Sequence, residues 1–196
     1  MSLTFVPILG LLINLIGAYI YIRDMFKGGT TPLRLTWLLW SLPPFIATFI
    51  ELHQGVTWAV LPVFASGFGP ALVFLASFFT PTGGWKATPW DYACGVVSVL
   101  AIVLWCTVKS PVLSVGLSIA ADATAGIPTL KKLYLHPKSE IAWAYLAGVL
   151  SALSAFAVIQ HWSFVEISFP IYLVVLTASC TILGTCRSTP RKVTVP

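Results

Sequence analysis

The chain has 196 residues, of which 58% are hydrophobic and 9% charged, where soluble domains run at about 45–50% and 25%. Mean hydropathy is +0.92, a surplus of apolar surface that only lipid can accept, so a soluble globular fold is excluded. The net charge of +5 does not indicate nucleic acid, because the basic residues sit in short loops between apolar runs, with no patch of interleaved aromatics.

A membrane-spanning helix needs about 20 mostly apolar residues. Seven stretches answer to that, near 3–22, 33–50, 56–79, 91–108, 111–130, 141–160 and 163–186. Residues 1–5 carry no basic side chain and the apolar run outlasts a secretory core, so the first stretch reads as a spanning helix and not a cleaved signal. Lys27-Gly28-Gly29-Thr30-Thr31-Pro32 breaks the chain before the second helix, and Pro81-Thr82-Gly83-Gly84-Trp85-Lys86 breaks it after the third. His136-Pro137-Lys138-Ser139-Glu140 opens the sixth, with Ser139 expected as its N-cap. The four cysteines, Cys94, Cys106, Cys180 and Cys186, lie in or beside apolar runs without metal-ligand spacing, and read as small packing residues.

Charge sets the expected orientation. Arg23, Lys27, Arg34, Lys86, Lys131, Lys132, Lys138, Arg187, Arg191 and Lys192 fall in the odd-numbered loops and the tail, and Lys109 alone falls on the other side. Ten against one places the odd loops and the C-terminus in the cytoplasm and the N-terminus outside. The expected location is the plasma (inner) membrane.

A shift of 108 residues carries Asn14 onto Asp122, Arg23 onto Lys131, His53 onto His161 and Pro62 onto Pro170. A shift of 106 carries Trp37 onto Trp143 and Thr48 onto Ser154. Because one helix separates the two halves, helices 1–3 and 5–7 would share an orientation. The expected architecture is therefore an all-α membrane protein of seven transmembrane helices in parallel 3+1+3 repeats. Residues 3–79 form the first bundle, 91–108 the linker helix, 111–186 the second bundle and 187–196 a cytoplasmic tail.

Pro128-Thr129-Leu130-Lys131-Lys132 resembles the Pro-Gln element and basic loop that end the first helix of each repeat in the SWEET and PQ-loop superfamily, with Thr in place of Gln. The segment 31–40 is similar to the start of the repeat's second helix, while Ile20-Tyr21-Ile22-Arg23 lacks the proline. The resemblance implies a transporter of a small polar solute, a sugar or similar metabolite, working by alternating access without a cofactor. Sugar-carrying members hold an asparagine in the third helix of each repeat, and neither 56–79 nor 163–186 contains one.

Asp122 is the acidic residue in the middle of a spanning run, where a carboxylate costs about 2.5–3.5 kcal/mol on insertion scales. With Ser114, Ser118 and Thr129 it forms a polar helix face. It fits a substrate or proton site in a central pathway, and also a hydrogen-bonded tie to a neighbouring helix. Asn14, the one asparagine, has the same two readings. Trp37 and Ser41 on helix 2 and Trp143 on helix 6 complete the expected substrate-binding set with Asn14, Ser118 and Asp122. Pro128 and Pro44 are the expected hinges, since each removes a backbone donor inside a helix. Trp85, Trp90 and Trp162 read as interfacial anchors, and His53 and His161 as polar residues at short outer loops.

Helix 7 has no lysine for a retinal Schiff base, and no nucleophile–base pair lies at membrane depth, so an enzyme is not expected. Expected partners are a small solute and the lipid bilayer, not nucleic acid; a homo-oligomer is compatible with the composition. A receptor or sorting protein that binds a ligand on the same scaffold without moving it is the alternative reading.

Overall fold

The computed structural model of the protein describes residues 5–80 and 84–186. Residues 187–196, expected as a tail, and the three basic residues they contain lie outside that set. The described residues form an all-helical protein without strands. Its helices are α1 (Phe5–Phe26), α2 (Arg34–His53), α3 (Val60–Ala76), α4 (Pro89–Thr107), α5 (Pro111–Leu135), α6 (Ala142–Ala155) and α7 (Phe164–Cys186). Five of them, α1, α2, α3 with the 3-10 turn that extends it to Phe79, α5 and α7, are long and apolar enough to cross a membrane. The apolar part of α4 is shorter, Pro89–Leu104. Lipid-facing side chains such as Leu12, Ile16, Phe49, Leu104, Val175 and Ile182 are all about half exposed, as a bilayer solvent allows.

Helix ends follow local chemistry. Gly28 at φ +79° and Gly55 at φ +83° take the left-handed turn that stops α1 and α2. Pro111 fits the first turn of α5, whose missing N–H would be unpaired anyway. Asp91 accepts the N–H of Thr88 at 2.7 Å ahead of α4.

α6 departs from expectation. It runs for 14 residues, about 21 Å at 1.5 Å per residue, against a hydrocarbon core of about 30 Å. The expected helix over 141–160 stops at Ala155, and Phe156, Ala157 and Val158 close tighter i→i−3 turns. The Glu166 carboxylate then accepts the N–H groups of Gln160 at 2.9 Å and His161 at 2.6 Å, which draws the chain out of the helical path into α7. Ser139 is not the N-cap of α6; that place is Ile141, and the Ser139 hydroxyl donates to the His136 carbonyl. α5 runs past the expected end at 130 to Leu135, so Lys131 and Lys132 belong to the helix.

The packing order differs from the chain order. α3 packs against both α1 and α2, and α7 against both α5 and α6. α1 lies along α6, α2 along α5, and α4 against the outside of α5 with a lighter contact to α2. Neither α1–α2 nor α5–α6 is a substantial interface among the described residues. The α1–α6 seam is the tightest: a Cβ on Gly10 would stand 1.8 Å from Ser154 Oγ, and one on Gly17 would stand 2.6 Å from Ala147 Cβ. Backbones meet this closely in membranes by using small residues.

The α1–α2, α3–α4 and α5–α6 loops gather at one end, hereafter the basic end. Thr31 N–H donates to the Ser139 carbonyl at 3.4 Å, and Trp85 N–H to the Pro32 carbonyl at 2.9 Å. Trp85, expected as a membrane anchor, packs into this junction: its ring lies 5.3 Å from that of His136 and 4.8 Å from Lys132 Nζ. Trp90 and Trp162 are exposed, at 55% and 72%.

Candidate functional site

Six helices, all but α4, surround a cavity of about 90 Å³, room for several waters or a small solute. α1 contributes Asn14 and Tyr21, α2 contributes Trp37 and Trp40, and α5 contributes Asp122. The α3 wall is Pro62, Ser66, Gly69, Pro70 and Val73; the α6 wall includes Tyr145 and Ser151. α7 closes the ring with Leu173, Leu176, Thr177 and Cys180. Among the described residues Asp122 is the one carboxyl group in this lining.

Helix periodicity explains who points inward. Asn14, Ala18 and Tyr21 recur every three to four residues along α1 and so share a face. Asn14 is accommodated because α3 carries Gly69 opposite it, where a Cβ would stand 2.9 Å from Asn14 Oδ1. Trp37 and Trp40 stack edge-on at 5.5 Å, and Tyr21 tilts against Trp37 at 4.6 Å. Trp40 reaches across to α5, donating its indole N–H to the Asp122 carbonyl at 3.1 Å. Gly126 leaves room for that ring.

The Asp122 side chain is 2% exposed. One carboxyl oxygen accepts the Tyr172 hydroxyl at 2.7 Å, and the other has no partner among the described residues. Among the described residues the Ser151 hydroxyl is buried and unpartnered as well, and the Tyr21 hydroxyl, which lies near Glu140 and Trp37, meets neither at full hydrogen-bond geometry. Three groups lining one cavity thus keep hydrogen-bonding capacity that buried polar atoms ordinarily satisfy.

Of the residues singled out from sequence, Asn14, Asp122 and Trp37 meet at this cavity, and Ser41, Ser118 and Trp143 do not. Ser41 donates to the Leu38 carbonyl at 2.6 Å, and Ser118 to the Ser114 carbonyl at 2.9 Å, so both hydroxyls are satisfied within their own helices. Trp143 is 69% exposed on the outer side of α6. Tyr145, two residues on, takes the inward place, since a two-residue step turns a helix by about 200°. Pro128 and Pro44, the expected hinges, are buried within unbroken helices. The Thr48 hydroxyl donates to the Pro44 carbonyl at 2.8 Å. His53 lies against Phe49 at 4.4 Å, and His161 is engaged through its backbone N–H.

Towards the basic end of the cavity lies a buried ionic latch. Lys132 of α5, 4% exposed, pairs with Glu140 at 2.5 Å and also donates to the Thr31 carbonyl in the α1–α2 loop. The second Glu140 oxygen accepts the hydroxyl of Tyr145, a cavity-lining residue, at 3.0 Å. Beside it, Thr30 donates to Asp24, anchoring the same loop. The far end is packed with apolar side chains, among them Ala47, Ile50, Val63, Val165 and Phe169. Glu51 is buried there at 1% exposure, with one oxygen unpartnered, apart from the cavity lining.

Lys132, Glu140, Tyr145 and Tyr172 were not singled out from sequence. Lys132 counts there as one more loop charge, and the spacing of Lys132 and Glu140 across the loop gives no sign of pairing. A tyrosine on an apolar helix announces a polar partner only through the need of its hydroxyl for one. Among the described residues no group of three or more His, Cys, Asp or Glu side chains gathers as a metal site. Comparison of the chain with protein-family models, curated proteins and solved structures finds no match.

Proposed function

We propose that the protein is a seven-span membrane transporter that moves a small polar solute by alternating access. The carrying observation is the cavity lined by six helices, with Asn14, Asp122, Tyr21 and Ser151 on its walls, three of which keep unmet hydrogen-bonding capacity at membrane depth among the described residues. In lipid such groups are costly unless a ligand or water uses them.

On this reading α1–α3 and α5–α7 are parallel repeats joined by α4. The reading draws support from the packing order, in which the third helix of each set lies between its first and second. It draws support too from the exchange of partners between sets, α1 with α6 and α2 with α5, as a pseudo-two-fold axis requires. α4 and α6 then span as shorter helices, with the non-helical stretch 156–163 completing the α6 crossing. The basic end faces the cytoplasm of the plasma membrane, since Arg23, Lys27, Arg34, Lys86, Lys131, Lys132 and Lys138 lie there against Lys109 at the other end. The SWEET and PQ-loop resemblance of Pro128-Thr129-Leu130-Lys131-Lys132 fits this arrangement.

The Lys132–Glu140 latch joins the α5–α6 loop to the α1–α2 loop, so opening the basic end means breaking it. Pro44 and Pro128 are where α2 and α5 would bend most readily. Uptake of solutes into proteoliposomes containing the purified chain tests the reading. Saturable binding without uptake would favour a receptor on the same scaffold.

A further inference from the structure

We infer that the solute this cavity takes is a small organic cation, a protonated amine, held between the Asp122 carboxylate and the aromatic walls of α1, α2 and α6. The inference rests on the transport reading for what happens to the solute, but the chemistry of the site stands on its own.

A carboxylate taken out of water needs compensation, by a cation or by several hydrogen bonds. Asp122 has one hydrogen bond to one oxygen, from Tyr172, and among the described residues none to the other. Among the described residues no lysine, arginine or histidine stands in the cavity lining, so none of them supplies a positive partner. The compensating charge has to come from outside. The rest of the lining suits an ammonium group. Tyr21, Trp37, Trp40 and Tyr145 crowd one half of the cavity, and aromatic faces attract cations most strongly when water is excluded. The Tyr21–Trp37–Trp40 cluster is already ordered by ring contacts at 4.6 and 5.5 Å, so little side-chain freedom remains to be lost on binding. Asn14 and Ser151 supply neutral hydrogen-bonding groups for whatever polar substituents the amine carries.

A proton is the competing cation. A protonated Asp122 would be a neutral donor, and the cavity would then have no reason to prefer a charged solute over a neutral one of the same shape.

The test compares tert-butylammonium with tert-butanol, which match in shape and differ in charge, on the detergent-purified full chain. Binding is read from ligand-induced stabilisation against concentration. The ammonium should bind about tenfold tighter or better, and Asp122→Asn should erase that preference while leaving weak binding of the alcohol. Trp37→Leu should weaken the ammonium more than the alcohol. Equal binding of the two ligands by the native protein overturns the inference without any variant having to fold.

Proteoliposome uptake of the same two compounds and of glucose separates this inference from the transport reading. Uptake of the neutral solutes without the ammonium overturns the cation inference and leaves transport standing. Asp122-dependent ammonium binding without uptake upholds the inference and overturns transport. Failure of all three to bind or cross overturns both.

Discussion

Replacing Lys132 with methionine keeps most of the side-chain length and removes its charge. In the structure this deletes a 2.5 Å ion pair with Glu140 and a hydrogen bond to the Thr31 carbonyl. Glu140, whose side chain is 1% exposed, is left with Tyr145 as its remaining donor. Removing one partner of a buried pair costs about 3–5 kcal/mol, most of it the burden of the stranded charge. The double variant Lys132→Met with Glu140→Gln removes that burden, because the glutamine carbonyl still accepts from Tyr145. It should cost roughly 1–2 kcal/mol, the scale of the hydrogen bonds lost. Equilibrium unfolding in mixed detergent, followed by tryptophan fluorescence, measures both. The expected pattern is a double variant more stable than the Lys132→Met single. A single variant within about 0.5 kcal/mol of the native protein, or costs that simply add, would refute the latch as described.

Asp122→Asn should preserve folding and change solute affinity or uptake, while Asp122→Leu should destabilise by about 1–3 kcal/mol by stranding the Tyr172 hydroxyl; a silent Asn variant would reduce Asp122 to a structural tie. Gly17→Ala should destabilise by about 1–3 kcal/mol, since its Cβ would meet Ala147 Cβ at 2.6 Å on a seam with no flexible side chain to yield. Unchanged stability of that variant would show that α1 and α6 are not closely held. Cysteines placed at Gly28 and Lys138 should label from one face of the membrane, and at Gln54 and Ser163 from the other. Labelling of Gly28 and Lys138 from opposite faces would rule out the spanning arrangement.

Hydropathy and punctuation located the five long apolar helices of the described residues, because a run of that length and composition bounded by glycine, proline or charge is legible without knowing its partners. What they missed depended on partners distant in sequence. The run Phe156-Ala157-Val158-Ile159 looks helical, yet the Glu166 carboxylate from the next helix holds the backbone that follows it. Lys132 looked like a surface charge because its burial rests on Glu140 and on Thr31, 101 residues away. At the cavity, Asn14 and Asp122 were legible since a polar group at membrane depth needs a reason to be there. The aromatic wall was half legible. Trp37 was found, but on α6 the face was read from Trp143, and the inward tyrosine at 145 was overlooked.

The close seam between α1 and α6 has a consequence for how the chain is made. α1 ends at Phe26 and its tightest partner does not begin until Ala142. At translation rates of about 5–20 residues per second, the first helix waits roughly 6–23 s in the bilayer before that partner emerges. Throughout that interval Gly10 and Gly17 present a bare backbone groove to lipid, with α3 as the main neighbour of α1. Ribosome stalling between α5 and α6 should be far more damaging to yield than the same delay after α6.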